Sequence, residues 1–336
     1  MSTDSFDLVH ARLLRFFPEL VEDLGGHADA MLAAAGIDRA APQATYRQMI
    51  GLIEQAAGAL RCADFGMRLA VRQGGGMFGP LGQVMRNSRT FGEALAYVGT
   101  HAYAHSLAAR IWQKRLPGED GVFSGHDILV EGLPHRGQAM EQILLVGHLF
   151  AMEMTGGHAR VRKVHFRHQP LSPPAVYRRY FGCEVRFGQN EDGVFYSQAD
   201  LACPIVTPDP EAYQTAIAYI DAHFAEVRPP VHALVRGAVM QLLWTGEASN
   251  ARVAAELNLH PRTLHRRLGA EGTSFQQVKD EVRRDVLLYY LRQTELDFST
   301  ISEKLGFAEQ SVLTRRCRRW FAAAPTQVRQ QHRRHA

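Results

Sequence analysis

A chain of 336 residues is long enough to fold as two domains, each with its own core. Its 46% hydrophobic and 21% charged residues match an ordinary soluble globular protein and exclude a low-complexity or fibrous chain. The net charge of +4 conceals a split: residues 1–227 carry 20 Lys/Arg against 24 Asp/Glu, and residues 228–336 carry 18 against 10.

In chain order, the first hundred residues read as helical. Leu13, Leu14, Phe17, Leu20 and Val21 recur at helical spacing, with Pro18 expected to bend or end that segment. Asp29–Gly36 reads as a short helix closed by glycine, and Tyr46–Leu60 repeats an apolar face. Gln73–Pro80 is a turn-rich breaker, after which Ser88 is placed to cap a helix bearing Phe91, Leu95 and Val98. Leu107–Arg115 and Gly121–Val130 then read as strands around a Pro117-Gly118 turn. A helix over Gly137–Met154 ends at Gly156-Gly157. Val161–His168 alternates as a strand, Pro173–Phe181 is a short helix, and Cys183–Phe187 and Gly193–Tyr196 are further strands. Proline-marked joints at 203–210 and 227–230 flank a helix over about 211–225. The pattern predicts an α+β N-terminal domain over 1–205, a linker with a connecting helix over 206–228, and an all-α domain over 229–336.

The all-α segment carries the chemistry. After the apolar stripe that starts at Val231, residues 251–268 read as one helix-turn-helix unit and residues 299–320 as another. In the first, Leu264 and Leu268 hold the second helix inward, with His260 at its cap. Arg262, Thr263, His265, Arg266 and Arg267 are the candidate DNA contacts. In the second, Thr300 and Glu303 form the expected capping box, and Gly306 supplies the left-handed turn. There Gln310, Ser311, Thr314, Arg315 and Arg318 are the outward set. Between the units, residues 274–293 predict an unbroken rod. At about 1.5 Å per residue it spans roughly 30 Å, close to the ~34 Å repeat of the major groove. Sixteen of the eighteen cations after residue 227 are arginine, the side chain suited to guanine and phosphate. The alternative is a helical interaction protein whose basic surface binds an acidic protein partner.

Other chemistries find little support. Cys62, Cys183, Cys203 and Cys317 form no CxxC pair and fit a reducing cytoplasm. His101 with His105, and His165 with His168, lack a completing Cys or carboxylate, so no metal and no cofactor is expected. Gly74-Gly-Gly76 lacks the Lys-Ser/Thr of a phosphate loop. No Gly-x-Ser-x-Gly elbow or paired-carboxylate motif suggests an enzyme. With no apolar run of eighteen and no basic-then-apolar N-terminus, neither a membrane span nor a secretory signal is expected, and the expected location is the cytoplasm.

Two stretches resemble a known family. Arg262–Gln276 and Ile301–Ser311, with Arg318-Arg-Trp320, Pro325 and Arg329, resemble the AraC/XylS family of bacterial transcriptional regulators. Phe78–Gly82, Ser88–Leu95 and Tyr180–Gly182 are similar to the N-terminal, arabinose-binding-like effector domain of a subgroup that includes ornithine-utilisation regulators. The resemblance implies an activator or repressor. Its N-terminal domain binds a small-molecule effector or forms a homodimer, and its C-terminal domain binds double-stranded promoter DNA and touches RNA polymerase. The chain departs from the family at Ser302, Leu313, Arg316-Cys317 and Ala322. Arg316, where the family has a small residue, is expected to tilt the second recognition helix or to add a phosphate contact.

Overall fold

A computed structural model describes residues 6–10, 14–39, 43–133, 135–224 and 228–333; Leu13 of the first predicted stripe and Val227 of the second joint lie outside them. The chain divides into two compact units, residues 1–130 with 136–228, and residues 131–135 with 229–336.

In the first unit, β1 (Leu8–His10) pairs antiparallel with β2 (Gln43–Thr45), with α1 (Phe17–Asp23) and α2 (Ala28–Ala34) between them in sequence. Pro18 opens α1 instead of bending or ending it, because the N–H it lacks would have no partner in a first turn. A capping box of Thr45 and Gln48 starts α3 (Tyr46–Ala59). After α4 (Phe65–Gln73), the predicted breaker is a 3-10 turn over Gly74–Phe78 that leads into α5 (Gly79–Arg86). The cap of α6 (Phe91–His101) is Thr90, not Ser88. Ser88 is committed elsewhere: its hydroxyl donates to the Val84 carbonyl at 2.8 Å, closing the preceding helix.

A five-stranded sheet follows. Its strands are β3 (Ala109–Lys114), β4 (Gly121–Ile128), β5 (Lys163–His165), β6 (Glu184–Arg186) and β7 (Gly193–Ser197). Their order is β3-β4-β7-β5-β6, antiparallel except for the parallel pair β5–β6. The strand expected over 161–168 is only three residues long because the chain leaves the ladder: the Arg167 amide donates to the Asp192 carboxylate at 2.7 Å instead of to a neighbouring strand. Helix α7 (Gly137–Met154) has the predicted bounds and presses on α4 so closely that a Cβ at Gly66 would lie 2.0 Å from the Gln138 carbonyl. Helices α8 (Pro174–Phe181) and α9 (Gln198–Leu201) flank the last strands. The segment expected as a linker holds α10 (Pro210–Phe224), which packs against α5 within this unit.

The second unit is helical: α11 (Val231–Leu242), α12 (Asn250–Glu256), α13 (Pro261–Ala270), α14 (Phe275–Gln293), α15 (Phe298–Lys304), α16 (Gln310–Phe321) and α17 (Pro325–Arg333). One hydrophobic cluster runs through it, joining Val239, Leu264, Leu268, Val282, Ile301 and Leu313. Burying such side chains stabilises the unit by about 1.5–3 kcal/mol each. Among the described residues, no helix is long and apolar enough to cross a membrane, and no group of three His, Cys, Asp or Glu could hold a metal ion.

Candidate nucleic-acid interface

The first helix pair, α12 and α13, turns through Asn258, whose φ of 53° lies in the left-handed region that asparagine tolerates. The Leu259 amide then donates back to the Ala254 carbonyl at 2.8 Å, fixing the corner. His260 caps α13, its Nδ1 accepting from the Arg262 amide at 3.2 Å, and Pro261 occupies the first turn. Leu264 and Leu268 are fully buried. Positions three and four apart share a helix face. Anchoring these two leucines therefore leaves Arg262, His265, Arg266 and Arg267 exposed and Thr263 half-buried, as the sequence led one to expect.

The second pair, α15 and α16, begins differently from expectation. Asp297 caps α15, accepting from the Thr300 amide at 2.8 Å and the Thr300 hydroxyl at 2.7 Å. Thr300 therefore lies inside the first turn, and the Thr300–Glu303 box does not form. The helix starts earlier because Phe298 packs onto the core. Gly306, at φ 62°, makes the corner. Leu313 and Cys317 bury fully, leaving Gln310, Ser311, Arg315 and Arg318 exposed and Thr314 half-buried. Two of these hydroxyls already donate locally, Ser311 to Glu309 at 3.0 Å and Thr314 to the Gln310 carbonyl at 3.1 Å. Each keeps its acceptor lone pairs. Arg316 makes an ion pair with Asp280 of α14 at 3.1 Å, so the side chain expected to tilt the helix or meet a phosphate is tied inward.

The rod α14 is unbroken over 19 residues, about 28 Å long at 1.5 Å per residue. Ser274 caps it, accepting from the Gln277 amide, but the Gln277 side chain accepts from the Ser274 hydroxyl instead of closing a full box. Two cations four apart on the rod were not anticipated. Lys279 donates to the Ala248 carbonyl at the entrance to α12. Arg283 donates to the Leu305 and Gly306 carbonyls, at 3.0 and 2.9 Å, and its guanidinium covers the Phe307 ring. Burial lowers the pKa of both. One face of one helix thus holds the entrance of the first pair and the corner of the second. The sequence signal was there, since basic residues bordering the apolar stripe at 278 and 282 are well placed to reach neighbouring carbonyls. At the other end of the unit, Glu271 closes α13 and accepts from the Val231 and His232 amides at the start of α11.

Two recognition helices therefore present arginine outward from one shared core. Among the described residues, none of Arg262, Arg266, Arg267, Arg315 and Arg318 forms an ion pair, which leaves five guanidinium groups open to a polyanion.

Comparison with known proteins agrees with this arrangement. Residues 25–205 match the family described as the N-terminal arabinose-binding domain of AraC transcription regulators, and residues 253–331 match a helix-turn-helix domain. The HTH-type transcriptional regulator VirS of Mycobacterium tuberculosis is 34% identical over 301 residues, which are 90% of this chain and 85% of VirS. The ornithine utilization regulator of Pseudomonas aeruginosa is 26% identical over 269 residues, 79% of this chain and 78% of that protein. The crystal structure of the transcriptional regulator CdpR from Pseudomonas aeruginosa aligns with a TM-score of 0.44 and 22% identity, covering 90% of this chain and 96% of that one. Paired helix-turn-helix units behind an arabinose-binding-like α+β unit, and these family matches, make the chain a member of the AraC family of transcriptional regulators, with a DNA-binding C-terminal domain.

Proposed function

We propose that the chain is a one-component regulator whose C-terminal unit reads promoter DNA with both helix-turn-helix pairs. On this reading Arg262, His265 and Arg266 meet base edges, helped by Thr263 and Arg267. Gln310, Ser311, Thr314, Arg315 and Arg318 serve the second head. The N-terminal unit senses a small molecule or holds a second copy of the chain, and RNA polymerase is the partner at the promoter. This places the protein in the cytoplasm beside the chromosome. The observation that supports the reading is the pair of outward arginine sets mounted on one core. The experiment is genome-wide immunoprecipitation to recover the operator, followed by anisotropy titration. Arg266→Ala and Arg315→Ala are each expected to weaken operator affinity by about 1–3 kcal/mol while leaving unrelated duplex less affected. Equal affinity of both variants and the native chain would remove these assignments. Sequence-independent affinity, with tight binding of an acidic protein instead, would favour the interaction-protein reading.

A further inference from the structure

The first unit encloses a cavity of about 120 Å³, lined by residues of β3, β4 and β7 and of α3, α5, α6 and α7. Its walls are apolar, with Met49, Met77, Leu81, Met85, Leu95 and Val98 among them. Among the described residues, no Lys, Arg, Asp or Glu lines it. A ligand carrying an ammonium or carboxylate would leave water there without gaining an opposite charge, which is strongly unfavourable. A pentose would bring several hydroxyls to a wall whose exposed surface is mostly apolar.

Six polar or polar-tipped side chains share that wall, Tyr46, His105, Ser124, His126, Gln142 and Tyr196, and two of them hold a buried atom without a hydrogen-bond partner. Gln142 is 1% exposed; its amide nitrogen donates to Gln73 at 2.6 Å, but its Oε1 has no partner. His126 is 8% exposed, and its Nε2 has no partner either. Burial pulls the His126 pKa down to about 4, so its ring is neutral at pH 7 and adds no charge. Buried polar atoms are normally satisfied, and here two side chains of a mostly apolar wall, Gln142 and His126, each keep one that is not.

We propose that this cavity binds an uncharged, largely apolar molecule that presents a single hydroxyl to Gln142 Oε1, and so is neither a sugar nor an amino acid. The proposal rests on the sensing reading above and names its ligand class. The size follows from volume: a cavity near 150 Å³ holds a benzene ring, so a space of about 120 Å³ takes roughly one six-membered ring and little more than a small substituent.

The test uses the full chain labelled with ¹³C at methionine methyls. Met49, Met77 and Met85 line the cavity, and Met240, in the other unit, is the control. The probes are benzyl alcohol, toluene, L-arabinose and L-ornithine. Benzyl alcohol is expected to shift the three cavity methyls and not Met240. Toluene should bind about fivefold more weakly for want of one hydrogen bond. The two polar probes should shift none of them. Gly147 lines the cavity, and a Cβ there meets nothing within 4 Å. Leucine also favours a helix over glycine, so Gly147→Leu should plug the space without unfolding the unit and abolish the shifts. Gln142→Leu should erase the preference for benzyl alcohol over toluene. The ligand class is overturned if benzyl alcohol moves no cavity methyl, if arabinose or ornithine moves them as strongly, or if Gly147→Leu still binds. Sensing has a separate readout, promoter-reporter output of the Gly147→Leu chain in cells. Unchanged output alongside native methyl shifts overturns sensing and keeps the ligand class; changed output without methyl shifts does the reverse.

Discussion

The two reading heads are built to the same plan but spend their charge differently. In the first, among the described residues, none of the recognition-helix arginines is in an ion pair, and the helix is held by Leu264, Leu268, its His260 cap and the Glu271 bonds to the start of α11. In the second, Arg316 is drawn into Asp280 and the corner is held by Arg283. The difference teaches that a basic residue on a recognition helix is not by itself a DNA contact. What decides is whether the neighbouring helix offers it a carboxylate or a carbonyl.

The strongest way to break the comparison is to attack what the heads share. Leu268→Ala in the common core should cost about 2–5 kcal/mol in urea unfolding. Because one cluster serves both heads, binding to both half-sites should fall together. Loss confined to the first half-site would show two independent cores. Next, Arg283→Met removes the charged donor at the second corner and should cost about 1.5–3 kcal/mol of stability. It should lower affinity for the second half-site while the Arg266→Ala loss persists at the first; equal weakening of both half-sites would dissolve the distinction. Smaller still, Arg316→Ala breaks a partly exposed pair worth about 0–1 kcal/mol. Operator affinity should barely change, and a fall as large as that of Arg315→Ala would return Arg316 to the DNA. The smallest effect is one of pH. Burial alone would raise the Glu271 pKa, but the hydrogen bonds from the His232 and Val231 amides and from the His232 ring hold it below its ordinary 4.5. The stabilisation is therefore present above about pH 4.5 and is lost as acid protonates the carboxylate. Melting temperatures between pH 6 and 3 should fall less steeply for Glu271→Gln than for the native chain.

Legibility in the sequence followed the range of the interactions. The bounds of α7 were readable because glycine stands at both ends of an apolar helix. The recognition helices were readable because the Leu264–Leu268 and Leu313–Cys317 spacings fix which side faces out. Caps were harder where two polar residues competed. Thr90 displaced Ser88 and Asp297 displaced Thr300, in each case because the start of the helix was set by an apolar residue, Phe91 or Phe298, packing inward. Long-range partners were not readable. Nothing local to 210–224 says that this helix lies on α5, and nothing local to Arg316 or Arg283 names Asp280 or the Leu305 carbonyl as its destination.

The pair of tethers on α14 has a consequence for the target as much as for the protein. With Lys279 gripping one head's entrance and Arg283 the other's corner, the heads cannot slide apart without breaking hydrogen bonds. If both heads read the operator, as proposed, the protein sets the spacing between its two boxes. A promoter that inserts about half a helical turn, some five base pairs, rotates one box away from its reader, and the DNA must twist or bend to restore it.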